Sequence, residues 1–380
     1  MQEPRPGPMN TVEDVVQEDA TEGCQTDVPA NARIKDYLME RVPEFVALCA
    51  IRDEGWKNPA GDRFFKAQQK QADRGSQKTQ IFLDKMMRNI AKEMQEATRA
   101  FSISGTTKGA EKGRQKRILD CCMAPGTYLQ AALKHNPDAH ALAFTLPPEE
   151  GGHTPLLERD ESRGLDIRLL DLTMLAADMG VTPDQIPKDH PDATAFLPRQ
   201  VEDGRDFDLV ICDGQVLRTH EPRRAAYREP REARRLGLTQ LVLGLDHLRP
   251  GATMIILLHK VETWGNVRLL HTFSRFSHVQ LFKPSSGHAK RSSFYMVATD
   301  IRSEHPLAEK AVNEWKDEWK QATFASDEEF WEVASQKCSQ GRRDVDLVLK
   351  EFGPELVRLG RNVWKIQADA LKKAPFNRRL

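Results

Sequence analysis

The stretch Ile118-Leu-Asp-Cys-Cys-Met-Ala-Pro-Gly-Thr-Tyr-Leu129 decides how the rest of the chain is interpreted. It begins with apolar residues that end in an acid, passes through Ala-Pro-Gly, and continues with residues that suit a helix. This order predicts a buried strand, a turn, and a helix whose N-terminal amides face a ligand. Glycine at position 126 lets the backbone approach that ligand closely. A lone glycine also fits an ordinary strand-to-helix connection, so the whole Asp-x-x-x-Ala-Pro-Gly pattern is the more specific signal.

Short apolar runs recur along the middle of the chain, and most of them are separated by stretches with a helical pattern. Runs such as 208–212 and 254–258 are apolar on both faces, as strands are when helices cover both sides of a sheet. The alternation predicts an α/β fold with a Rossmann-like, doubly wound sheet. The predicted strands are residues 117–122, 139–145, 167–170, 207–212, 253–258, 279–282 and 294–299.

The flanks of this core differ from it in composition. Residues 1–33 are acidic and poor in aromatic side chains, which predicts a disordered tail. Residues 34–110 and 303–380 predict helical extensions around a core domain at 111–302. A capping box is expected at Ser326, where the sequence Ser-Asp-Glu-Glu begins a helix. The apolar face of the last helix before the core is predicted from Ile81, Phe82, Met86, Ile90, Met94 and Ala97.

Charge and cysteine content narrow the class of protein. The 380 residues carry 56 basic and 56 acidic side chains, so bulk positive charge does not drive nucleic-acid binding and any such surface is local. The six cysteines form no CxxC pair, which indicates reduced thiols and no metal site. No apolar run is long enough to cross a membrane. We expect an intracellular protein of the nucleus or cytoplasm, because the acidic N-terminus is unlike a mitochondrial transit peptide.

Two charged residues follow buried strands directly. Asp213 comes after the strand 207–212, and Lys260 comes after the strand 253–258 and one histidine. Ligands of open α/β sheets bind outside the carboxyl ends of the strands, so both side chains are expected at a ligand site. A simple ion pair that caps the strand ends is the structural alternative.

The opening stretch resembles the cofactor motif of the FtsJ-like ribose 2'-O-methyltransferase family, Asp-Leu-x-Ala-Ala-Pro-Gly-Gly. Thr127 replaces the second glycine, and the resemblance extends over residues 117–300. The flanks are similar to fungal proteins that carry this domain, so the chain resembles a divergent, fungal-type member. The resemblance implies S-adenosylmethionine (SAM) as cofactor, with Asp171 beside the adenine and Asp213 also in the cofactor site. In the opening stretch the predicted cofactor-binding residues are Asp120, Ala124, Pro125 and Gly126, which match the motif, and Thr127.

The same resemblance implies a catalytic Lys-Asp-Lys-Glu set. Lys260 corresponds to the catalytic lysine and Asp213 to the aspartate that orients it, and Lys85 is the candidate for the first lysine. A ribose hydroxyl is a poor nucleophile, so a neutral amine that takes its proton assists methyl transfer. Ser293 stands where the family has its glutamate. For Lys85, an ordinary solvated lysine on a helix is the alternative.

Seven arginines lie between residues 218 and 235, directly after Asp213. Arginines beside the site are suited to contact RNA phosphates without regard to sequence. A charged helix face neutralised by its own glutamates is the alternative. The predicted substrate-binding residues are Arg218, Arg223, Arg224, Lys290 and Arg291, with Lys283 as an extension of the same rim.

The sequence therefore predicts a SAM-dependent methyltransferase that acts on a ribose 2'-hydroxyl of RNA. The alternative is a catalytically inactive domain that serves as a SAM-binding or interaction module, which Thr127 and Ser293 both favour. A small-molecule or protein substrate fits less well, because a lysine base beside arginines suits an anionic polymer.

Overall fold

The computed structural model describes residues 28–56, 59–61, 63–64, 67, 77–103, 114–160, 162 and 164–374. Residues 1–27, most of the predicted acidic tail, lie outside the described residues. The first helix begins at Val28, so residues 28–33, which the sequence placed in the tail, are helical.

A seven-stranded sheet forms the centre of the fold, and all seven predicted strands are present. Their order across the sheet is β3-β2-β1-β4-β5-β7-β6. Every neighbouring pair is parallel except the two that β7 makes, so the sheet is mixed. The strands are β1 (Arg117–Asp120), β2 (His140–Thr145), β3 (Leu165–Leu169), β4 (Phe207–Cys212), β5 (Leu248–His259), β6 (His278–Phe282) and β7 (Ser293–Ile301).

Helices cover both faces of the sheet, which confirms the α/β fold. One layer contains α3 and α4, which pack on side chains such as Ile118 and Leu209. The other layer contains the remaining helices, which pack on Leu119, Val210 and Met254. The helices are α1 (Val28–Arg41), α2 (Pro43–Trp56), α3 (Gln77–Thr98), α4 (Thr127–His135), α5 (Glu232–Asp246), α6 (Trp264–Ser274), α7 (Pro306–Phe324) and α8 (Asp327–Lys372).

The helical extensions form part of the same body as the sheet. Helices α1, α2 and α8 share one hydrophobic core with α5 and α6. The predicted capping box at Ser326 is confirmed, because Ser326 and Glu329 bond each other's main-chain amides. No helix within the described residues has both the length and the apolar character that crossing a membrane requires.

The predicted apolar face of α3 is only partly correct. Ile90 and Met94 are buried against the sheet, whereas Ile81 and Phe82 are exposed. The first turns of α3 therefore extend past the sheet, toward the edge where the strand order reverses between β1 and β4. In α/β folds a crevice forms at such a reversal.

Asn136, at the end of α4, joins α3 to the core. Its side-chain amide donates to the carbonyls of Phe101 (2.7 Å) and Ala132 (2.8 Å), and its oxygen accepts from the Ile103 amide (3.1 Å). The Asn136 side chain is buried, so water cannot replace these partners.

We expect Asn136→Ala to lower the free energy of unfolding by about 2–3 kcal/mol, because the buried main-chain groups of Phe101 and Ile103 lose their partner. Urea unfolding measures this change. The neighbouring exposed substitution His135→Ala is the control, with an expected change within about 0.5 kcal/mol. A loss below about 1 kcal/mol for Asn136→Ala would contradict the assignment of these bonds.

Candidate active site

The turn between β1 and α4 brings the predicted cofactor motif to the carboxyl edge of the sheet. Asp120 ends β1 and is buried, and the Ala124–Pro125 peptide bond is cis. Gly126 has a φ of +110°, and a β-carbon there would lie 2.9 Å from the Met123 sulfur. The positive φ favours glycine at position 126, and a β-carbon there would also require the Met123 side chain to move.

A cavity of about 560 Å³ opens beside this turn. That volume is within the range of roughly 300–1,000 Å³ that is usual for small-molecule sites. Asp171 and Asp213 both line the cavity, together with apolar side chains. Ala124 and Pro125 line the cavity, whereas Asp120, Gly126 and Thr127 do not. The apolar residues of the lining include Leu146, Leu170, Leu172, Val216 and Leu217.

Asp120 and Asp213 form a pair of like charges at the ends of β1 and β4. Burial, together with the charge of Asp213, raises the pKa of Asp120 well above its usual range. Burial raises the pKa of Asp213 to about 7. The two strand ends approach closely because residue 214 is glycine, where a β-carbon would lie 2.2 Å from the Cys122 sulfur. The pair is thus poised to accept a cation from a ligand.

Asp171, the predicted adenine contact, lies in the cavity wall but is already held by the protein. One of its oxygens accepts from the Thr173 amide (2.9 Å) and hydroxyl (2.7 Å), and the other accepts from Arg228 (2.6 Å). His220 Nε2 lies 3.3 Å from the second oxygen. Burial alone would raise the pKa of Asp171, but His220 and Arg228 hold it well below the usual range.

Arg228 neutralises a buried group of acids in this wall. Asp171, His220 and Glu232 place ligand-type atoms within 4.8 Å of one another, an arrangement that could hold a metal ion. The Arg228 guanidinium lies among them and donates to both carboxylates, to Glu232 through Nε at 2.9 Å. Sequence reasoning missed this group, in which Arg228 ends a 3₁₀ turn (226–228) and Glu232 begins α5.

The arginine-rich stretch divides into inner and outer residues. Arg223 is exposed and Arg218 and Arg224 are half-buried, so these three remain near the surface as predicted, although none lines the cavity. The other four arginines bond acids or carbonyls of the protein, and three of them are buried, so a common phosphate-binding face for all seven is wrong. These four are Arg228, Arg231, Arg234 and Arg235.

Lys260 follows the last residue of β5, beside β4. The register pairs Cys212 with Ile256, so Lys260 lies three residues beyond the position opposite Asp213. Lys260 has a φ of +52° and does not line the cavity. Lys260 is not among the described groups that shift the pKa of Asp213.

Lys85 does not enter the site, contrary to the sequence expectation. Its side chain is exposed, while its neighbours Leu83, Asp84, Met86 and Met87 line the cavity. Thr127 does not line the cavity either, and its hydroxyl donates to Asp84 at 3.2 Å. 

The loop 283–293 forms another side of the site, and the sequence prediction for Lys283 in this loop is wrong. Lys283 is buried, and its ammonium donates to the carbonyls of His288 (2.8 Å), Arg291 (2.5 Å) and Ser293 (2.6 Å), so it does not belong to an exposed basic rim. Burial lowers the pKa of Lys283 to about 7. His288 lines the cavity, a role that no sequence motif indicated. Lys290 and Arg291 are half-buried on the same loop.

We expect Arg228→Met to destabilise the protein by about 3–5 kcal/mol at pH 7, because Asp171 and Glu232 would be buried without their cation. The pKa of Asp171 is depressed in the folded protein, so its stabilising effect is present above its unfolded value near 3.9 and is lost as the pH falls. The difference between variant and wild type should therefore shrink below about pH 4.

Urea unfolding at pH 7 and at pH 3.5–4 checks this dependence. Arg223→Met is the matched control, since Arg223 is exposed and donates only to the Thr219 carbonyl in the described structure. A penalty for Arg228→Met that stays constant with pH would contradict the role of the two carboxylates.

Among solved structures, the chain is similar to PhzM of pyocyanin biosynthesis, at 10% identity and a TM-score of 0.29, with 56% of this chain and 54% of PhzM covered. It is also similar to a ribosomal RNA methyltransferase from Plasmodium falciparum, at 14% identity and a TM-score of 0.31, with 56% and 94% covered. A third similar structure is an rRNA methylase from Streptococcus thermophilus, at 11% identity and a TM-score of 0.26, with 49% of this chain and 87% of the methylase covered.

The chain spans about half the length of PhzM, and TM-scores this low carry no functional argument. No curated protein matches the sequence. The sequence model of the FtsJ-like methyltransferases matches residues 88–301, more than half of the 380 residues. This match includes Asp120, Asp213, Lys260 and most of the residues that line the cavity, and the chain therefore belongs to the FtsJ-like methyltransferase family.

Proposed function

We propose that this protein is a SAM-dependent methyltransferase whose substrate is a ribose 2'-hydroxyl of RNA. The observation that carries the proposal is the order of groups along one sheet edge. Asp120, Asp213 and Lys260 follow the adjacent strands β1, β4 and β5 of a domain that belongs to the FtsJ-like family.

The residues in and beside the cavity fit SAM in two respects. Asp213, which lines the cavity, and Asp120, on the neighbouring strand, have no Lys or Arg among the described residues that lowers their pKa, and SAM would bring a sulfonium and an ammonium. The leucine and valine side chains of the lining suit an aromatic ring. One adjustment is needed at Asp171, because three donors of the protein already bond its carboxylate.

Methylation of a ribose 2'-hydroxyl needs a base and a pre-organised site. SAM supplies a methyl group on a positively charged sulfur. Lys260 Nζ would take the proton of the 2'-hydroxyl as this oxygen receives the methyl group that bound SAM would supply. Asp213, ionised when a cation lies beside it, stabilises the positive charge that builds up on the lysine.

Surface cations suit the backbone of an RNA chain. Arg218, Arg223 and Arg224 lie outward of the cavity on the segment that follows Asp213. Lys290 and Arg291 lie on the loop after β6. Phosphate contacts from these positions position a chain without reading its sequence.

Purified protein incubated with methyl-labelled SAM and total cellular RNA should yield alkali-resistant dinucleotides, because a methylated 2'-oxygen cannot attack the neighbouring phosphate. We expect Lys260→Ala to reduce transfer by at least about 100-fold, the usual contribution of a general base, while the SAM Kd stays within about twofold. Lys92→Ala, a change of an exposed lysine on α3, is the control.

Three outcomes decide the proposal. Labelled RNA without 2'-O-methyl ribose would overturn the substrate assignment. SAM binding without transfer to RNA would favour the inactive module, for which Ser293 in the glutamate position is the specific observation. Absence of SAM binding at high micromolar concentration would overturn both.

The two acids make SAM binding depend on pH. The pKa of Asp213 is raised to about 7, so a neutral carboxyl predominates below that pH and a cationic ligand favours its ionised form. We expect the SAM Kd to fall by about 5- to 10-fold between pH 6 and pH 8, with protons released on binding. Calorimetry at three pH values measures this, and Asp213→Asn should flatten the dependence. A Kd that rises with pH would contradict the sign.

A further inference from the structure

The main chain of Lys260 makes hydrogen bonds through both its amide and its carbonyl. The Lys260 amide donates to the Ser292 carbonyl at 3.2 Å. The Lys260 carbonyl accepts from the Thr263 amide (3.2 Å), the Thr263 hydroxyl (3.1 Å) and the Asn266 side chain (3.0 Å). A non-glycine residue at φ +52° costs of order 1–3 kcal/mol and persists only where its surroundings enforce it.

Glu262, two residues further on, is bound from both helical extensions. Arg52 of α2 donates to one Glu262 oxygen at 2.6 Å, and the indole of Trp364 on α8 donates to the other at 3.0 Å. The Glu262 and Arg52 side chains are only 13% and 21% exposed, so this ion pair is largely shielded from water. Although burial opposes it, Arg52 and Trp364 keep the pKa of Glu262 below its usual value.

The same helices also reach the neighbouring segments. Arg52 donates to Gln367 of α8 at 3.0 Å, and Gln367 donates to the Lys290 carbonyl at 3.4 Å. Asn31 of α1 accepts from the Trp264 amide, the first of α6, at 2.6 Å. Contacts from α1, α2 and α8 therefore converge on residues 260–266 and on the loop opposite them.

We infer that Glu262 is a positioning residue for Lys260, and that the helical extensions act on the reaction through it. This inference rests on the proposed function, because it assumes that Lys260 is the base. Glu262 does not line the cavity, so its effect passes through the main chain of residues 260–263. The extensions thereby complete the active site, since Arg52 and Trp364 lie in the two regions outside the family match at 88–301.

The substitution Glu262→Gln tests this inference with little change of shape. The amide keeps an oxygen for Trp364 but loses the charge that holds Arg52. We expect kcat for methylation of total cellular RNA to fall by roughly 10- to 100-fold, because small displacements of a reacting group have effects of this size. The SAM Kd should stay within about twofold of the wild type.

A second variant, Trp364→Phe, removes the indole donor but keeps a ring against Phe45, and it should lower kcat in the same direction. Asp346→Asn is the matched control. It breaks the exposed pair with Arg33 that also joins α1 to α8, and kcat should stay within about twofold.

The outcomes separate the inference from the proposed function. If Lys260→Ala is inactive while Glu262→Gln and Trp364→Phe keep the wild-type kcat, the inference is overturned and the function stands. Equal losses of SAM binding and kcat would also overturn it, since they would indicate general damage. If the wild type transfers no methyl group, or if Lys260→Ala is as active as the wild type, the proposed function fails and the inference with it.

Discussion

The proximity of two carboxylates, the buried Asp120 and the half-buried Asp213, is the constraint on which the site depends. Parallel pairing of β1 with β4 places both at one edge of the sheet, and Gly214 lets the two strand ends meet without a side chain between them. Burial raises the pKa of both carboxyls, and the charge of Asp213 adds to the rise for Asp120. The protein holds this arrangement without a lysine or arginine of its own, among the described residues, to lower either pKa. A positively charged ligand is the natural complement.

Asp171, a further acid of the cavity, is treated in the opposite way. It receives Arg228 and His220 from the stretch after β4, and its pKa is depressed rather than raised. The protein thus neutralises Asp171 before any ligand arrives, whereas it does not neutralise Asp213. A cationic group is therefore favoured near Asp213, while the hydrogen bonds of Asp171 are already committed to the protein.

Sequence patterns were enough to predict the sheet, because each strand is a short apolar run. Such a run is typical of a strand that is buried on both faces. The same patterns placed Asp213 and Lys260 at one edge of the sheet, because the carboxyl ends of neighbouring parallel strands share an edge. Side-chain direction was harder to predict. Asp84 and Lys85 are neighbours on α3, and a rotation of about 100° per residue turns only one of them toward the cavity. Likewise, Arg224 and Arg228 look alike in the sequence, but only Arg228 meets two buried acids.

Lys283 shows why charge alone is a weak guide to a surface. It is a buried cation whose ammonium fastens the loop 283–293 through three carbonyls. On the other side, Glu93 of α3 accepts from the amides of Ser285 and Ser286 at 2.8 and 2.9 Å. This loop faces residues 260–263, which Glu262 ties to α2 and α8. Segments after strands are usually the mobile part of an α/β site. Here both are fixed by contacts outside the cavity, so the precision of the site depends partly on α2 and α8, which contribute no described lining residue.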